Sequence, residues 1–261
     1  MSVDSIERPV QWSNLKTQDF AADARERCVA ILPIGSTEQH GPHLPVQVDT
    51  LLASEVGLRA ARHAPASTPV LVLPPLWISL AEHHMGMGGS LTLDFATLHA
   101  FVRCVVMSLG RQGYRRVLLL NGHGGNIAAL NTIVDLLTIE TAVPVATATY
   151  WLAAGAAFGR ILESQDNLLH ACEAETSMLM HLRPDLVDMQ AAQSVRAPMR
   201  GFLEPSGTHR WRPIEHWSCS GVVGAPQFAS AEKGERLLNA AGETIAARIS
   251  DGSIWSEEGA S

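Results

Sequence analysis

The chain has 261 residues, of which 46% are hydrophobic, enough to bury the core of one α/β domain of ordinary size. Its 19 basic and 26 acidic residues, with no run of Lys or Arg, argue against a surface built for nucleic acid or for an anionic membrane. No apolar window is long enough for a transmembrane helix or a signal peptide, and the four cysteines are scattered without a CxxC pair, so we expect a cytoplasmic protein with free thiols.

Short apolar segments alternate with amphipathic ones along the first 150 residues. The segments predicted as strands are CVAILPIG (28–35), TPVLVLPPL (68–76), VLLL (117–120) and VPVATATYW (143–151). The predicted helices cover 50–64, 94–114 with Asp94 as a suitable N-cap, and the segment in which Ile127, Leu130, Val134 and Leu137 recur at helical spacing. Such alternation is typical of a mainly parallel sheet covered on both faces. We therefore predict an α/β fold: a single three-layer domain over residues 1–261, with a core from about 28 to 245.

The pattern changes in the second half of the chain. HACEAETSMLMHL (170–182) and the segment 229–249 are predicted as helices. Between them lies a long excursion, 196–226, that is rich in Gly, Pro and Trp. A loop of this length is usually functional or part of an interface.

The loop after the first predicted strand contains an unusual set of side chains. LPIGSTEQHGPHLPVQVDT brings together Glu38, His40, His43 and Asp49, and the loop after the third strand adds His123. In open α/β sheets, ligands bind beyond the carboxyl ends of the strands. Carboxylates combined with imidazoles suit Zn, Mn or Fe at a catalytic site. The alternative for each residue alone is a solvated histidine or a carboxylate that caps the following helix, and Asp49 before Thr50 is a fair N-cap.

The glycines of NGHGGN (121–126) allow two interpretations. Glycines between a strand and a helix can hold a phosphate, but this segment lacks the Lys and Ser/Thr of a P-loop and the GxGxxG spacing. We favour a tight turn in which Gly124 and Gly125 let a substrate approach the backbone beside His123.

The segment HACEAETS supplies His170, Glu173 and Glu175 on a predicted helix. Residues 170 and 173 would share a face, whereas 173 and 175 would point about 200° apart around the axis. At most one of the two glutamates is therefore expected to face the loops, and periodicity does not choose between them.

The sequence resembles the creatininase (creatinine amidohydrolase) family in PIGSTEQHGPHLPVQVDT, LLLNGHGGN, HACEAETSMLM and GVVGAPQFASAEKGERLL, from about residue 28 to 245. The resemblance implies a similar α/β fold, a homohexamer, and a centre of two divalent transition metal ions (Zn, Mn or Fe) that hydrolyses an amide-type carbon–nitrogen bond. It further implies that one ion is held by Glu38, Asp49 and His123. Asp49 would bridge to a second ion held by His40, and the resemblance favours Glu175 over Glu173.

Three positions depart from the family pattern. Enzymes that act on creatinine itself carry a Glu where this chain has Gly125, so we expect Glu175 to complete the second ion's ligands. The segment HxxFPGT appears here as HMGMGGS (84–90), with Gly88 in place of Pro, and Ala225 replaces an Asp. These departures count against creatinine as the substrate more than against the metal site.

The expected mechanism uses both ions to lower the pKa of a bridging water toward about 7, so that hydroxide attacks an amide or lactam carbonyl. His170, which is similar to a proton-donating histidine of the family, would protonate the leaving nitrogen. His84 and Trp151 would form the wall of a pocket for a small-molecule substrate, and the excursion near Trp211 and Trp217 would cover the site of its own or a neighbouring subunit.

Other functions within the same family remain open at this point. They are maturation of a peptide-derived cofactor, deformylation of a nucleotide precursor, and metal binding without hydrolysis. A phosphorylated substrate would need cationic side chains, which the excursion offers; they are Arg196, Arg200, Arg210 and Arg212.

Overall fold

The computed structural model describes residues 9–20, 25–195, 197–198, 209–252 and 254–255. Arg196 and Arg200 lie outside the described residues. Four parallel strands form one sheet in the order β2-β1-β3-β4. They are β1 (Val29–Ile34), β2 (Val70–Val72), β3 (Arg116–Asn121) and β4 (Val145–Thr149). The predicted parallel sheet is confirmed, and all four strands fall within or overlap the predicted segments.

The α-helices of the described residues lie between and after these strands. They are α1 (Val48–His63), α2 (Phe95–Arg111), α3 (Ile127–Glu140), α4 (Tyr150–Ala153), α5 (Gly155–Ile161), α6 (Glu173–Leu182), α7 (Met189–Ser194) and α8 (Ala231–Ser250). Asp94 is the N-cap of α2, as predicted, because its carboxylate accepts a hydrogen bond from the backbone N–H of Thr97. Within the described part of the chain, none of the helices combines the length and apolar character needed to cross a bilayer.

Side chains of the sheet alternate between two apolar layers. Ile31 of β1 packs in a cluster with residues of α1 and α8, whereas its neighbour Leu32 packs on the opposite face with residues of α2 and α3. Each fully buried aliphatic side chain contributes about 1.5–3 kcal/mol to folding. Both faces of the sheet are therefore covered, which gives the predicted three layers.

The strand register brings the two chemistry-bearing loops to one edge. Ile34, the last residue of β1, pairs with Asn121, the last residue of β3. The loops that follow these strands consequently leave the sheet side by side at its carboxyl edge. Gly122 permits this closeness, because a Cβ at that position would lie 2.7 Å from the carbonyl oxygen of Asp49.

Two boundaries differ from the sequence-based expectations. Helix α1 begins at Val48 with Gln47 as N-cap, so Asp49 lies in the first turn and does not cap the helix. Helix α6 begins at Glu173. His170, which was expected to lie in this helix, lies outside it. Ala171 has a φ of 50°, a left-handed conformation that no α-helix continues through, and His170 instead pairs with Val223 through two backbone hydrogen bonds.

Candidate metal centre

Five side chains predicted as ligands converge at the carboxyl edge of the sheet, all of them buried. They form two groups, Glu38, Asp49 and His123, and His40, Asp49 and Glu175, and within each group the candidate ligand atoms lie within 4.8 Å of one another. Asp49 belongs to both groups. These are the residues that the resemblance implied as ligands, and Asp49 is common to both candidate groups.

The two oxygens of Asp49 face different imidazoles. Asp49 Oδ2 lies 3.1 Å from His123 Nδ1, which is also 3.0 Å from Glu38 Oε2. Asp49 Oδ1 lies 3.2 Å from His40 Nε2, and Glu175 Oε1 lies 3.7 Å from the same nitrogen. Each oxygen of one carboxylate is thus available to a separate ion.

Backbone carbonyls orient both imidazoles. His40 Nδ1 lies 3.1 Å from the carbonyl oxygen of Glu38, and His123 Nε2 lies 3.1 Å from that of Leu80. A carbonyl only accepts hydrogen bonds, so these ring nitrogens carry the proton. In the neutral ring, the lone pair of the other nitrogen then points at the carboxylates, as a metal ligand requires.

Asparagine side chains hold the NGHGGN loop, and sequence reasoning missed their role. Asn121 Oδ1 accepts from the backbone N–H of His123 at 3.1 Å, and Asn121 Nδ2 donates to the carbonyl of the same residue at 2.9 Å. Asn126 Oδ1 accepts from the backbone N–H of Leu80 at 3.2 Å. The sequence shows the two asparagines of the motif, but it does not show which backbone groups their side chains bond.

The residues present fit a divalent transition metal ion. Among the described residues, four buried atoms of the cluster have no hydrogen-bond partner: Glu38 Oε2, His40 Nε2, Asp49 Oδ2 and Glu175 Oε2. An unsatisfied buried polar atom costs about 1–3 kcal/mol, and more when charged. Lone pairs of imidazole and carboxylate that point at one another are compensated by a cation placed between them. Oxygen and nitrogen donors in this combination suit Zn, Mn or Fe.

Protonation takes the place of a cation in the metal-free cluster. Burial lowers the pKa of His123, but the neighbouring Glu38 and Asp49 outweigh it and raise that pKa to about 10. Burial likewise raises the pKa of Glu38, but His123 and His84 outweigh it and hold that pKa well below its ordinary value. Metal binding here must therefore displace protons.

Two further buried histidines border the first ligand group. His84 Nε2 lies 3.2 Å from Glu38 Oε1, and His170 Nδ1 lies 3.6 Å from the same oxygen. Glu38, His40 and His170 also form a third group of possible ligands within 4.8 Å. His170 is therefore beside the cluster, where a proton donor to a leaving group would have to be.

The remaining residues predicted to contact the substrate differ in the space available around them. Trp151 follows β4 at the carboxyl edge but is only 2% exposed and belongs to the main apolar core. Gly124 and Gly125 lie in a short 3-10 turn, Gly124–Asn126. A Cβ on Gly125 would lie 2.4 Å from His123 Nε2 and 2.6 Å from the carbonyl oxygen of Leu80, so no side chain fits there. Half-buried His83 stacks on His123 at the same place and was not predicted.

Glu173 lies away from the metal ligands. Its carboxylate accepts hydrogen bonds from the backbone N–H groups of Glu163 and Ser164, and it pairs with Lys233 Nζ at 2.7 Å. The Glu173 side chain is fully buried among these hydrogen-bond donors.

In the described part of the excursion, the residues near its C-terminal end contact residues beside the metal-ligand cluster. Val223 pairs with His170, and the carbonyl of Gly221 accepts a hydrogen bond from the Gln39 side chain at 3.1 Å. Trp211 is 55% exposed and Arg210 is also exposed, whereas Trp217 and Arg212 are partly buried.

The chain is similar to known proteins over most of its length. The creatininase family model, described as creatinine amidohydrolase, matches residues 13–249. The chain is 31% identical over 215 residues to the mycofactocin precursor peptide peptidase of Mycolicibacterium smegmatis, covering 80% of this chain and 79% of that one. It is 30% identical over 261 residues to the creatinine amidohydrolase of Pseudomonas putida, covering 91% and 93%.

Solved structures match over nearly the whole chain. A mutant creatininase described as Zn-Zn type has a TM-score of 0.80 at 28% identity and covers 95% of this chain and 100% of that one. A structure described as creatininase Mn has a TM-score of 0.77 at 26% identity, with the same coverage.

Proposed function

The chain belongs to the creatininase family, and we propose that it is a metal-dependent hydrolase that cleaves the carbon–nitrogen bond of an amide, lactam or formamide in a small molecule. The observation that carries the proposal is the pair of buried ligand groups that share Asp49. A shared carboxylate between two cation positions is typical of hydrolytic two-metal centres.

The first ion would be held by Glu38, Asp49 and His123, and the second by Asp49, His40 and Glu175. Zn, Mn and Fe all suit these donors. When bound, such ions lower the pKa of water and polarise a carbonyl oxygen. The protein's own contribution is to keep the carboxylates and imidazoles dry and fixed in direction.

Hydrolysis also requires a proton for the leaving nitrogen. Water adds its oxygen to the carbonyl carbon, the carbon–nitrogen bond breaks, and nitrogen departs as a neutral amine once it is protonated. We assign the proton transfer to His170: its Nδ1, 3.6 Å from Glu38 Oε1 beside the first ion's ligands, would take a proton from the attacking water and pass it to the leaving nitrogen. His84 borders the same carboxylate and is proposed to line the substrate pocket.

The substrate is proposed to differ from creatinine. Enzymes that act on creatinine carry a glutamate at the position of Gly125, and here the space for any side chain is taken by His123, Leu80 and His83. Cleavage of a peptide is the second candidate, favoured by the 31% identity with a peptide peptidase.

We further propose a cytoplasmic homohexamer. The four cysteines of the chain, of which Cys28 and Cys172 are buried and Cys104 and Cys219 are exposed, suit a reducing compartment. Large apolar side chains such as Trp77, Leu91 and Phe95 are 53%, 47% and 40% exposed in the single chain, which subunit contacts would cover. Sedimentation that gives a monomer at micromolar concentration would refute the proposed hexamer.

Metal analysis followed by a substrate screen tests the function. We expect one to two transition ions per chain, and hydrolysis of a member of a panel of lactams, formamides, cyclic ureides and short peptides that a chelator abolishes and added Zn or Mn restores. Activity on peptides alone would select the second candidate. A fully metal-free protein with undiminished activity would refute the mechanism.

A further inference from the structure

The side chain of Gln39 lies between two proposed ligands in sequence, Glu38 and His40, but reaches into a different set of buried polar groups. Gln39 Nε2 lies 2.9 Å from His84 Nδ1, 2.9 Å from His170 Nε2 and 3.1 Å from the carbonyl oxygen of Gly221. We propose that Gln39 is a positioning residue that orients the Glu38 carboxylate through His84. The inference rests on the proposed metal centre.

Two hydrogen bonds to the backbone fix which end of the Gln39 amide is which. The N–H of Gly41 donates to Gln39 Oε1 at 2.9 Å, so that atom is the oxygen. The carbonyl of Gly221 can only accept, so the atom facing it is the NH2 group. The amide consequently presents a donor to His84 Nδ1.

The NH2 group of Gln39 has two hydrogens and three neighbouring groups, of which only two can accept a hydrogen bond. His170 Nε2 also lies 2.9 Å from the backbone carbonyl oxygen of Gln39, and a hydrogen on that nitrogen is accepted there. This leaves one amide hydrogen for Gly221 and one for His84 Nδ1. His84 Nδ1 is then an acceptor, and the ring carries its hydrogen on Nε2.

That hydrogen is directed at the metal centre. His84 Nε2 lies 3.2 Å from Glu38 Oε1 and donates to it, while Glu38 Oε2 remains directed at the position between His123 Nδ1 and Asp49. The opposite tautomer of His84 would turn a lone pair toward the carboxylate and repel it. Gln39 therefore selects the tautomer that holds one oxygen of Glu38 and leaves the other for the ion, a role that outer partners play at metal sites.

Metal affinity measures this role without any substrate. In Gln39→Met, which keeps the side-chain length but removes the amide, we expect Zn2+ to bind about 10–100-fold more weakly, measured by competition with a chromophoric chelator. The matched control is Gln112→Met, the same change at an exposed position, which should leave the affinity unchanged. Wild-type affinity in Gln39→Met would overturn the proposal alone, whereas wild-type protein that binds no ion would refute the proposed function and this inference together.

A double-mutant cycle separates positioning from a loss of local structure. If Gln39 acts through His84, Gln39→Met should change Zn2+ affinity less than about threefold in a His84→Phe background. Equal effects in both backgrounds would overturn the proposal. Should Gln39→Met not fold, nitrogen NMR of the Zn-loaded wild-type protein still decides the matter: we expect hydrogen on Nε2 of His84, and finding it on Nδ1 contradicts the proposal.

Discussion

Glu173 and Glu175 lie two residues apart on α6 and serve different parts of the molecule. Glu175 Oε1 is 3.7 Å from His40 Nε2 in the second ligand group, whereas Glu173 pairs with Lys233 Nζ at 2.7 Å on another side of the helix. Two residues along a helix rotate a side chain by about 200°, so one helix supplies a proposed ligand and a structural anchor at once.

The first prediction concerns the metal stoichiometry of these two positions. Replacing Glu175 by Gln keeps the shape but removes the charge, and we expect the protein to lose one of two ions, because His40 and a shared Asp49 hold a divalent cation weakly on their own. Glu173→Gln should retain both ions by elemental analysis. Loss of an ion in Glu173→Gln alone would contradict the assignment, and unchanged stoichiometry in both would make the centre independent of α6.

The second prediction concerns stability and pH. Burial raises the pKa of Glu173, but the ion pair with Lys233 and the hydrogen bonds from Ser164 and Glu163 outweigh it and lower that pKa. A lowered pKa stabilises the fold above the unfolded-state value of about 4.3, and this stabilisation is lost as pH falls through the folded-state value. Glu173→Gln should therefore cost about 1–3 kcal/mol at neutral pH, and the difference from wild type should shrink in acid.

Denaturant unfolding of the metal-free proteins between pH 7 and acid measures this difference. Glu163→Gln is the matched control: it also pairs with Lys233, at 2.6 Å, but its side chain is 63% exposed. An exposed pair contributes about 0–1 kcal/mol, so the control should stay close to wild type. If Glu163→Gln lowered the free energy of unfolding more than Glu173→Gln does, the stabilising role of the buried Glu173–Lys233 pair would be contradicted.

The parts of the site that could be predicted are those that local sequence encodes. Apolar segments predicted the strands, and the loops after β1 and β3 had to meet because parallel strands end at one edge. The break before α6 could not be predicted, since nothing in HACEAETS shows that Ala171 adopts a φ of 50°. The role of Gln39 could not be predicted for another reason: its partners His84 and His170 lie 45 and 131 residues away in the chain.

The third prediction concerns the bare backbone at Gly125. A methyl group there would lie 2.4 Å from His123 Nε2 and 2.6 Å from the carbonyl oxygen of Leu80, and would force apart the hydrogen bond that orients His123. We expect Gly125→Ala to weaken binding of the first ion about 10–100-fold. The control is Gly88→Ala, where an added Cβ meets nothing within 4 Å. Calorimetric Zn2+ titration of the metal-free proteins compares them, and equal affinities would show that the loop adapts.

The last prediction separates a proton donor from a metal ligand at His170. Its Nδ1 faces Glu38 Oε1 at 3.6 Å, and it belongs to one of the three possible ligand groups. If His170 protonates the leaving nitrogen, His170→Ala should keep its full metal content and lose about 10²–10⁴-fold in kcat on whichever substrate the screen identifies. The loss should be smaller for an analogue whose leaving nitrogen is less basic, because that nitrogen departs without full protonation. Exposed His63→Ala is the control and should match wild type. Loss of an ion in His170→Ala, with an equal fall in kcat for good and poor leaving groups, would instead make His170 a ligand.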